Sequence, residues 1–152
     1  MSTLFRVIVI DGQGGGIGST LIKRLRERFG ERIEIVALGT NALATSAMMK
    51  AGANRGASGE NAVCRSCGQG HVIIGPLGII LANSMMGELT PRMADAIFSA
   101  TVPKLLLPLN ICGVELAGVE KTPLPKLAEK IVYRIAGLAC LENDLPSSED
   151  AQ

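Results

Sequence analysis

A glycine-rich segment near the start of the chain constrains the fold more than any other feature. An apolar run, Phe5 to Ile10, leads into it, and an amphipathic run, Ile17 to Phe29, leads out of it. The segment between them, Asp11 to Ser19, contains five glycines. Glycine lets a backbone turn sharply and approach a ligand closely, and a following helix directs unpaired N–H groups at an anion. The pattern therefore predicts a strand, a tight turn and a helix whose first turn binds a phosphate.

The spacing of these glycines selects among the known phosphate-binding loops. Gly12, Gly16 and Gly18 fit the pattern G-x-x-x-G-x-G and resemble the loop of short-chain dehydrogenases/reductases. The pattern G-x-G-x-x-G needs a glycine where Ile17 stands, and a P-loop needs a lysine that is missing after Gly18. The predicted cofactor site takes in Gly12, Gln13, Gly14, Gly15, Gly16, Ile17 and Gly18. A tight strand–helix turn without a ligand is the alternative.

Composition excludes several other classes of protein. The 152 residues are 47% hydrophobic, enough for a proper core, and the formal net charge of +1 provides no basic field to attract nucleic acid or an anionic membrane. Aromatic residues make up only 3%, which argues against stacking of single-stranded bases. The first residues do not resemble a signal peptide, and the longest apolar stretch is about half a membrane span. We expect a cytoplasmic protein with reduced cysteines.

The rest of the chain alternates between strand-like and helix-like segments, which is typical of a parallel sheet with helices on both faces. We expect an α/β fold: a Rossmann-like, doubly wound, mostly parallel sheet in a three-layer α/β/α arrangement. Residues 1–145 form the single domain of this prediction, and residues 146–152 form a flexible tail. The predicted strands are Phe5–Asp11, Ile33–Leu38, a short one within Ala53–Gly59, Val72–Ile74 ended by Gly75-Pro76, Lys104–Leu109 and Val114–Val119. The last two offer a hairpin at one edge of the sheet.

Helices are predicted from apolar periodicity and from capping residues. They are Ile17–Phe29, a helix capped by Thr40 or Asn41 that ends at Gly52, Glu60–Ser66, a helix from Thr90-Pro91 to about Ser99, and a last helix from Thr122-Pro123 to about Leu138. The second of these helices is expected to bury Leu43. The pattern leaves Leu77 to Asn83 open between helix and strand.

Polar and glycine residues follow several of the predicted strands. Because ligands of doubly wound sheets bind at the carboxyl ends of the strands, these residues are expected to share one rim with the glycine segment. The predicted site therefore also includes Gly39, Thr40, Asn41, Gly75, Pro76 and Asn110. Connecting segments that are expected to reach the same rim carry Asn61, Asn83, Ser84 and Glu88. Side chains of Asn and Ser also satisfy loop backbone in many proteins, and this remains the alternative.

Two features differ from an ordinary dinucleotide site. Rossmann domains carry an acidic residue after the second strand that binds the adenosine ribose, whereas this chain has Gly39-Thr40-Asn41. Thr40 and Asn41 either donate to a 2′-phosphate or cap the next helix. Asp11 places an anion beside the proposed phosphate, and we expect it to hold the loop in shape rather than to bind Mg²⁺.

The resemblance to short-chain dehydrogenases/reductases stops at the loop. The catalytic tyrosine of that family is followed by lysine four positions later, but the single tyrosine here, Tyr133, is followed by Gly137. Tyr133 is also expected on the outer face of the last helix. Cys64, Cys67 and His71 are three potential zinc ligands where a structural site needs four, so we interpret them as structural residues. The alternatives are a zinc site that folding completes with Cys112, and a redox pair formed by Cys64 and Cys67 on one face of a short helix.

Several segments together resemble a small bacterial family known only as a domain of unknown function, DUF3842. They are Ile10–Gly18, Ala37–Ala53, Gly59–Ala62, Gly75–Ile79 and Asn83–Pro91, and the resemblance spans about residues 6 to 140. It implies a Rossmann-like fold and supplies no reaction.

The sequence thus favours a nucleotide-binding module that takes NAD, NADP or another nucleotide as a small-molecule ligand and acts as a sensor without turnover. An enzyme that uses Asp11, Glu88 and the asparagine-rich rim with Mg²⁺ is one alternative. A homo-oligomeric scaffold with an empty site is another. We expect a homo-oligomer in any case, with the apolar run from Leu77 to Met86 as its interface.

Overall fold

The computed structural model describes residues 3–109, 111 and 113–141, so the predicted tail, Asn110 and Cys112 lie outside the described residues. The five strands are β1 Phe5–Asp11, β2 Ile33–Gly39, β3 Arg55–Ser58, β4 Val72–Pro76 and β5 Lys104–Leu107. The five α-helices are α1 Gly16–Phe29, α2 Ala42–Ala51, α3 Glu60–Ser66, α4 Pro91–Ser99 and α5 Leu124–Ala139. Two short 3₁₀ helices, Gly30–Arg32 and Leu77–Ile80, precede β2 and follow β4.

All five strands are parallel and lie in the order β3-β2-β1-β4-β5. The chain builds one half of the sheet outward from β1 to β3, and then crosses over to place β4 on the other side of β1. This reversal makes the gap between β1 and β4 the switch point at which doubly wound sheets bind ligands. The predicted α/β, Rossmann-like, doubly wound fold is therefore confirmed.

Side chains of β1 alternate between two hydrophobic cores, because successive strand residues point to opposite faces. Val7 and Val9 pack with residues of α1, α2 and α5 on one face. Ile8 and Ile10 pack with residues of α3 and α4 on the other face. All four are at most 1% exposed, so β1 is covered on both sides, and the predicted three-layer arrangement is confirmed.

The helices begin at the capping residues that the sequence predicts. Asn41, rather than Thr40, caps α2 because its side chain accepts a 2.8 Å hydrogen bond from the Ala44 amide. Thr90 caps α4 in the same way through the amide of Met93, and Pro91 occupies the first helical position. The last helix begins at Leu124 after Pro123, as predicted within one or two residues.

The prediction of a hairpin at one edge of the sheet is wrong. Strand β5 pairs in parallel with β4, and the described residues between 113 and 123 contain no strand. The Val114 amide bonds to the Ile111 carbonyl and the Val119 amide to the Leu116 carbonyl, so the segment folds into successive turns. Gly113 and Gly118 have positive φ angles that interrupt an extended run, and their effect is not visible in the apolar alternation.

Three smaller predictions are also corrected. Gly75 and Pro76 do not end the fourth strand but belong to it, paired with Leu106 and Leu107 of β5. Leu43 is 70% exposed because the buried face of α2 is centred on Ala44 and Met48. The ambiguous run from Leu77 is neither α-helix nor strand, since it begins with a 3₁₀ turn and continues in irregular turns.

None of the helices in the described part of the chain is long and apolar enough to cross a membrane.

Candidate functional site at the glycine loop

The loop from Gly12 to Gly18, called the glycine loop below, follows the carboxyl end of β1 at the switch point of the sheet. It turns through two left-handed residues, Gln13 at φ 51° and Gly15 at φ 72°, before α1 begins. The Gly15 amide bonds to the Gly12 carbonyl at 2.9 Å and closes the turn. The first turn of a 14-residue helix therefore starts directly above the end of the central strand.

The side chain of Asp11 holds this turn from below. It is 2% exposed, and its two carboxylate oxygens each accept a 2.8 Å hydrogen bond, one from the Gly12 amide and one from the Gly18 amide. A carboxylate at a helix N-terminus is favoured by the helix dipole and by the unpaired amides there. Asp11 thus shapes the loop, as expected, and it also occupies amides that would otherwise face a ligand.

Burial raises the pKa of Asp11, because removal from water penalises the charged form. Hydrogen bonds from the loop amides, chiefly that of Gly18, oppose this rise, and the nearby negative charge of Glu88 adds to it.

Three glycines of the loop are required by close packing within the chain. A Cβ atom on Gly12 would lie 2.5 Å from the Met85 sulfur, and one on Gly18 would lie 2.5 Å from the Met48 sulfur. At Gly15 it would lie 2.7 Å from the Ala44 carbonyl oxygen.

Gly14 and Gly16 differ from the other three. A Cβ on either would meet no atom within 4 Å, and neither has a positive φ. Their amides have no hydrogen-bond partner among the described residues. Neither packing nor backbone conformation requires glycine at these two positions, so the open space and the two amides are available to a ligand.

Glu88 joins the glycine loop to the end of β2. Its Oε1 accepts hydrogen bonds from the Thr40 hydroxyl at 2.7 Å, from the Asn41 amide nitrogen at 2.6 Å and from the Gln13 main-chain amide at 3.0 Å. Asn41 also donates to the Gln13 carbonyl at 3.0 Å. We call these four residues the Glu88 cluster.

Hydrogen bonding lowers the pKa of Glu88, first through the Thr40 hydroxyl and further through Gln13 and Asn41. The carboxylate is carried by an irregular segment, residues 81–90, in which Asn83, Met85 and Met86 have φ angles of 66°, 57° and 58°. Non-glycine residues adopt this region uncommonly, and such strain concentrates at functional sites. Met85 is buried against Gly12, whereas Met86 is 96% exposed.

A shallow cavity of about 360 Å³ lies over the glycine loop. Its walls are Asp11, the main chain from Gly12 to Gly16, Ile17 and Leu124 at the start of α5. A larger cavity of about 610 Å³ lies between Pro108 and Thr122, in the segment that follows β5. The first cavity follows β1 and the second follows β5. Because the carboxyl ends of parallel strands lie at the same edge of a sheet, both cavities lie near that edge.

The structure brings together only part of the predicted rim. Gly39 is buried and close to Thr45, where a Cβ would lie 2.2 Å from the hydroxyl oxygen. Gly75 and Pro76 are buried in β4 and do not line either cavity. Ser84 bonds to the Gly78 carbonyl at 2.6 Å.

Asn61 and Asn83 are exposed and make no side-chain hydrogen bond within the described chain. Asn110 lies outside the described residues. Leu124 and Met85 contact the loop region without any local sequence signal, since both are far from it along the chain.

The cysteines and the histidine lie away from the glycine loop. His71 stacks on Phe5 at 4.9 Å and accepts the Arg6 amide at 2.8 Å, at the opposite end of β1. Cys64 and Cys67 are free thiols on and next to α3, and burial raises the pKa of Cys67. No group of three or more His, Cys, Asp and Glu side chains that would suit a metal ion occurs in the described part of the chain.

Comparison with known proteins identifies the family. A family model described as a domain of unknown function, DUF3842, matches residues 6–139. The chain belongs to this family. The DUF3842 match runs from the second residue of β1 to the end of α5, and the comparison with curated proteins gave no match.

Among solved structures, the chain is similar to a dodecameric FMN-dependent Ubix-like decarboxylase from Escherichia coli O157:H7. The sequence identity is 16%, the alignment covers 91% of this chain and 95% of that chain, and the TM-score is 0.46.

Proposed function

We propose that this DUF3842 domain binds a nucleotide, of the NAD or NADP type or another nucleotide, through the glycine loop. The observation that carries the proposal concerns Gly14 and Gly16. Their amides have no hydrogen-bond partner in the described chain, and a Cβ on either would meet no atom within 4 Å, whereas the other loop glycines are closely packed. Both lie at the start of α1, where the helix dipole favours a phosphate.

Most of the predicted site residues have a part in this proposal. Gly14 and Gly16 donate to the phosphate, and Gln13 and Ile17 flank it as walls of the cavity. The predicted residues that shape the turn or join it to β2 are Gly12, Gly15, Gly18, Gly39, Thr40 and Asn41. Gly75 and Pro76 are buried in β4 and take no part, and Asn110 lies outside the described residues. The larger cavity near Thr122 provides room for the second half of a dinucleotide, because Thr122 is two positions from Leu124 of the first cavity.

The domain acts as a binding or sensing module without turnover. The described lining of the loop cavity consists of main-chain glycine, Gln13, two aliphatic residues and Asp11, whose oxygens already accept loop amides. Tyr133 is 67% exposed on α5, and His71 lies at the other end of β1. These residues supply no nucleophile paired with an activating base at the loop.

The first experiment identifies the ligand. Native mass spectrometry of the freshly purified protein is followed by thermal-shift measurements with NAD, NADP, ATP, GTP, FAD, FMN and S-adenosylmethionine. A ligand at one hundred times its Kd stabilises the folded state by about 2.7 kcal/mol. Absence of any shift would favour a scaffold with an empty site. A shift that Mg²⁺ enlarges, together with product formation, would favour the enzyme.

The second experiment places the ligand. Gly16→Val puts a branched side chain into open space, so the variant is expected to fold and to lose the thermal shift, because the methyl groups fill the phosphate position. Gly68→Val is the matched control, since a Cβ on Gly68, just after α3, would make only an ordinary 3.8 Å contact with the Ala100 Cβ. An undiminished shift in Gly16→Val would move the site away from the glycine loop.

We also propose a homo-oligomer, in which Met86 is the part of the predicted interface from Leu77 to Met86 that a second copy can contact. Ile79 and Met85 of the run from Leu77 to Met86 are buried in this chain's own core, and Met86 is the one large apolar residue of the run that is strongly exposed. Phe98 on α4 and Leu43 on α2 are further exposed apolar residues. Light scattering after size-exclusion chromatography tests the proposal, and a monomer at all concentrations would contradict it.

A further inference from the structure

The segment after β2 lacks the acidic residue that Rossmann domains carry there. Rossmann domains place a carboxylate there because it accepts hydrogen bonds from the ribose of the bound dinucleotide, and it selects NAD over NADP. In this chain β2 ends at Gly39 and is followed by Thr40 and Asn41, none of which is acidic. Judged by this stretch alone, the chain lacks the group that recognises ribose.

The fold supplies a carboxylate at the same place from a distant part of the chain. Glu88 lies 75 residues beyond Gln13, yet its Oε1 is bound by the side chains of Thr40 and Asn41 and by the Gln13 amide. The carboxylate therefore lies between the end of β2 and the glycine loop. Its other oxygen, Oε2, makes no hydrogen bond with the described residues.

We propose that Glu88 is the ribose-recognising residue of this domain. Its Oε2 accepts a hydrogen bond from the 2′-hydroxyl of a nucleotide whose phosphate lies at Gly14 and Gly16. The ligand class is then a nucleotide with an unmodified ribose diol, and 2′-phosphorylated nucleotides are rejected. This inference rests on the proposed function of the glycine loop.

Charge supports the same selectivity. A glutamate carboxyl is ionised at neutral pH, and the hydrogen bonds of the Glu88 cluster, which lower its pKa further, favour the same charged form. Among the described residues, Glu88 forms no ion pair with Lys or Arg, the residues that accommodate a 2′-phosphate. A 2′-phosphate would therefore meet an uncompensated negative charge, and like charges in contact are strongly unfavourable.

A purely structural role for Glu88 is the competing interpretation. In that role the carboxylate only fastens the glycine loop to β2, so its replacement would weaken all nucleotides equally. The two roles differ in the ratio of affinities rather than in affinity itself. The variant Glu88→Gln separates them, since the amide keeps an acceptor oxygen for Thr40 and Gln13 but removes the charge.

The test is isothermal titration of wild type and Glu88→Gln with NAD, NADP, ADP and 2′-deoxy-ADP. Wild type is expected to prefer NAD over NADP by about tenfold or more. It is expected to prefer ADP over 2′-deoxy-ADP by about tenfold to a hundredfold, the effect of one hydrogen bond to a charged group. In Glu88→Gln both preferences should shrink, and NADP should bind more tightly than to wild type.

Glu60→Gln is the matched control, because Glu60 forms a 3.5 Å ion pair with Arg92 and its carboxylate has no contact with the glycine loop. This control should retain both preferences. Equal affinity of wild type for NAD and NADP, or an unchanged ratio in Glu88→Gln, would overturn the inference while leaving nucleotide binding intact. Failure of wild type to bind any of these four nucleotides or any member of the thermal-shift panel would instead overturn the proposed function.

Discussion

The carboxylate of Asp11 and the main-chain amide of Gly18 are joined by a 2.8 Å hydrogen bond that links the end of β1 to the first turn of α1. The same carboxylate binds the Gly12 amide at 2.8 Å, so one side chain organises both ends of the glycine loop. The Asp11 carboxylate thus already binds some of the main-chain amides at the N-terminus of α1. The amides of Gly14 and Gly16 are the ones left for a ligand.

Replacing Asp11 by Asn should destabilise the fold. The amide keeps one acceptor oxygen, but its NH₂ group faces a main-chain amide that has lost its partner, which costs about 1–3 kcal/mol. Urea denaturation measures the change, and Asp95→Asn on the exposed face of α4 is the control. A loss no larger than in the control would show that Asp11 does not hold the loop.

The same variant has a defined pH dependence. The folded-state pKa of Asp11 is raised, so the folded chain binds this proton more tightly than the unfolded chain does. Acidification through that pKa therefore stabilises wild type relative to Asp11→Asn, and the difference in unfolding free energy between them should grow. A difference that stays constant from neutral to acidic pH would contradict the raised pKa.

Gly12→Ala should lower the stability of the fold, whereas Gly14→Ala should leave it almost unchanged. At Gly12 the new methyl group would lie 2.5 Å from the Met85 sulfur and 2.6 Å from the Thr40 hydroxyl oxygen. Such overpacking costs about 1–3 kcal/mol, whereas Gly14→Ala meets open space and should be nearly neutral. Thermal denaturation of the two variants checks this, and equal stability would show that Gly12 is not packed as described.

Replacing Asn41 by Asp should destabilise the fold through the Glu88 cluster. Asn41→Asp retains the oxygen that caps α2 but replaces the donor to Glu88 by a second negative oxygen. We expect a loss of about 2 kcal/mol in unfolding free energy, most of it recovered in the double variant with Glu88→Gln, whose amide can donate. A double-mutant cycle by urea denaturation measures the coupling, and additive effects would argue against the 2.6 Å contact.

Glycine at position 86 should stabilise the protein. Met86 has a φ of 58° with its side chain 96% exposed, so Gly relieves the left-handed strain and gives up almost no packing. The gain is about 1 kcal/mol, while Met86→Ala, which keeps the strain, should be close to wild type. A lower melting temperature for Met86→Gly than for Met86→Ala would be inconsistent with strain at this residue.

Glu34 on β2 should contribute stability that acid removes. It bridges Arg6 on β1 at 2.8 Å and Arg55 on β3 at 3.1 Å, and the Arg6 hydrogen bond is the main cause of its lowered pKa. A lowered folded-state pKa means that this contribution is complete above the ordinary value of 4.5 and disappears as the pH falls through the folded pKa.

Accordingly, Glu34→Gln is expected to be about 1 kcal/mol less stable than wild type at pH 7. The two proteins should converge in acid, and a pH-independent difference would rule out the ion pairs as its source.

Local signals were sufficient for most of the fold. The apolar run from Phe5 and the periodicity after Gly16 each depend on neighbouring residues, and both predicted elements match the structure within a residue. The predicted strand Val114–Val119 is wrong because alternating apolar residues also occur in turns. Glu88 was singled out as a rim residue, but its position beside β2 depends on a contact across 75 residues, which no local pattern contains.

The Glu88 cluster also divides the site between the two halves of the sheet. The glycine loop, Thr40 and Asn41 belong to the half built from β1 to β3, and Glu88 belongs to the half that begins with β4. A fragment made of the first half alone would keep the amides of Gly14 and Gly16 but lack the Glu88 carboxylate, so any recognition that depends on this carboxylate needs both halves of the sheet.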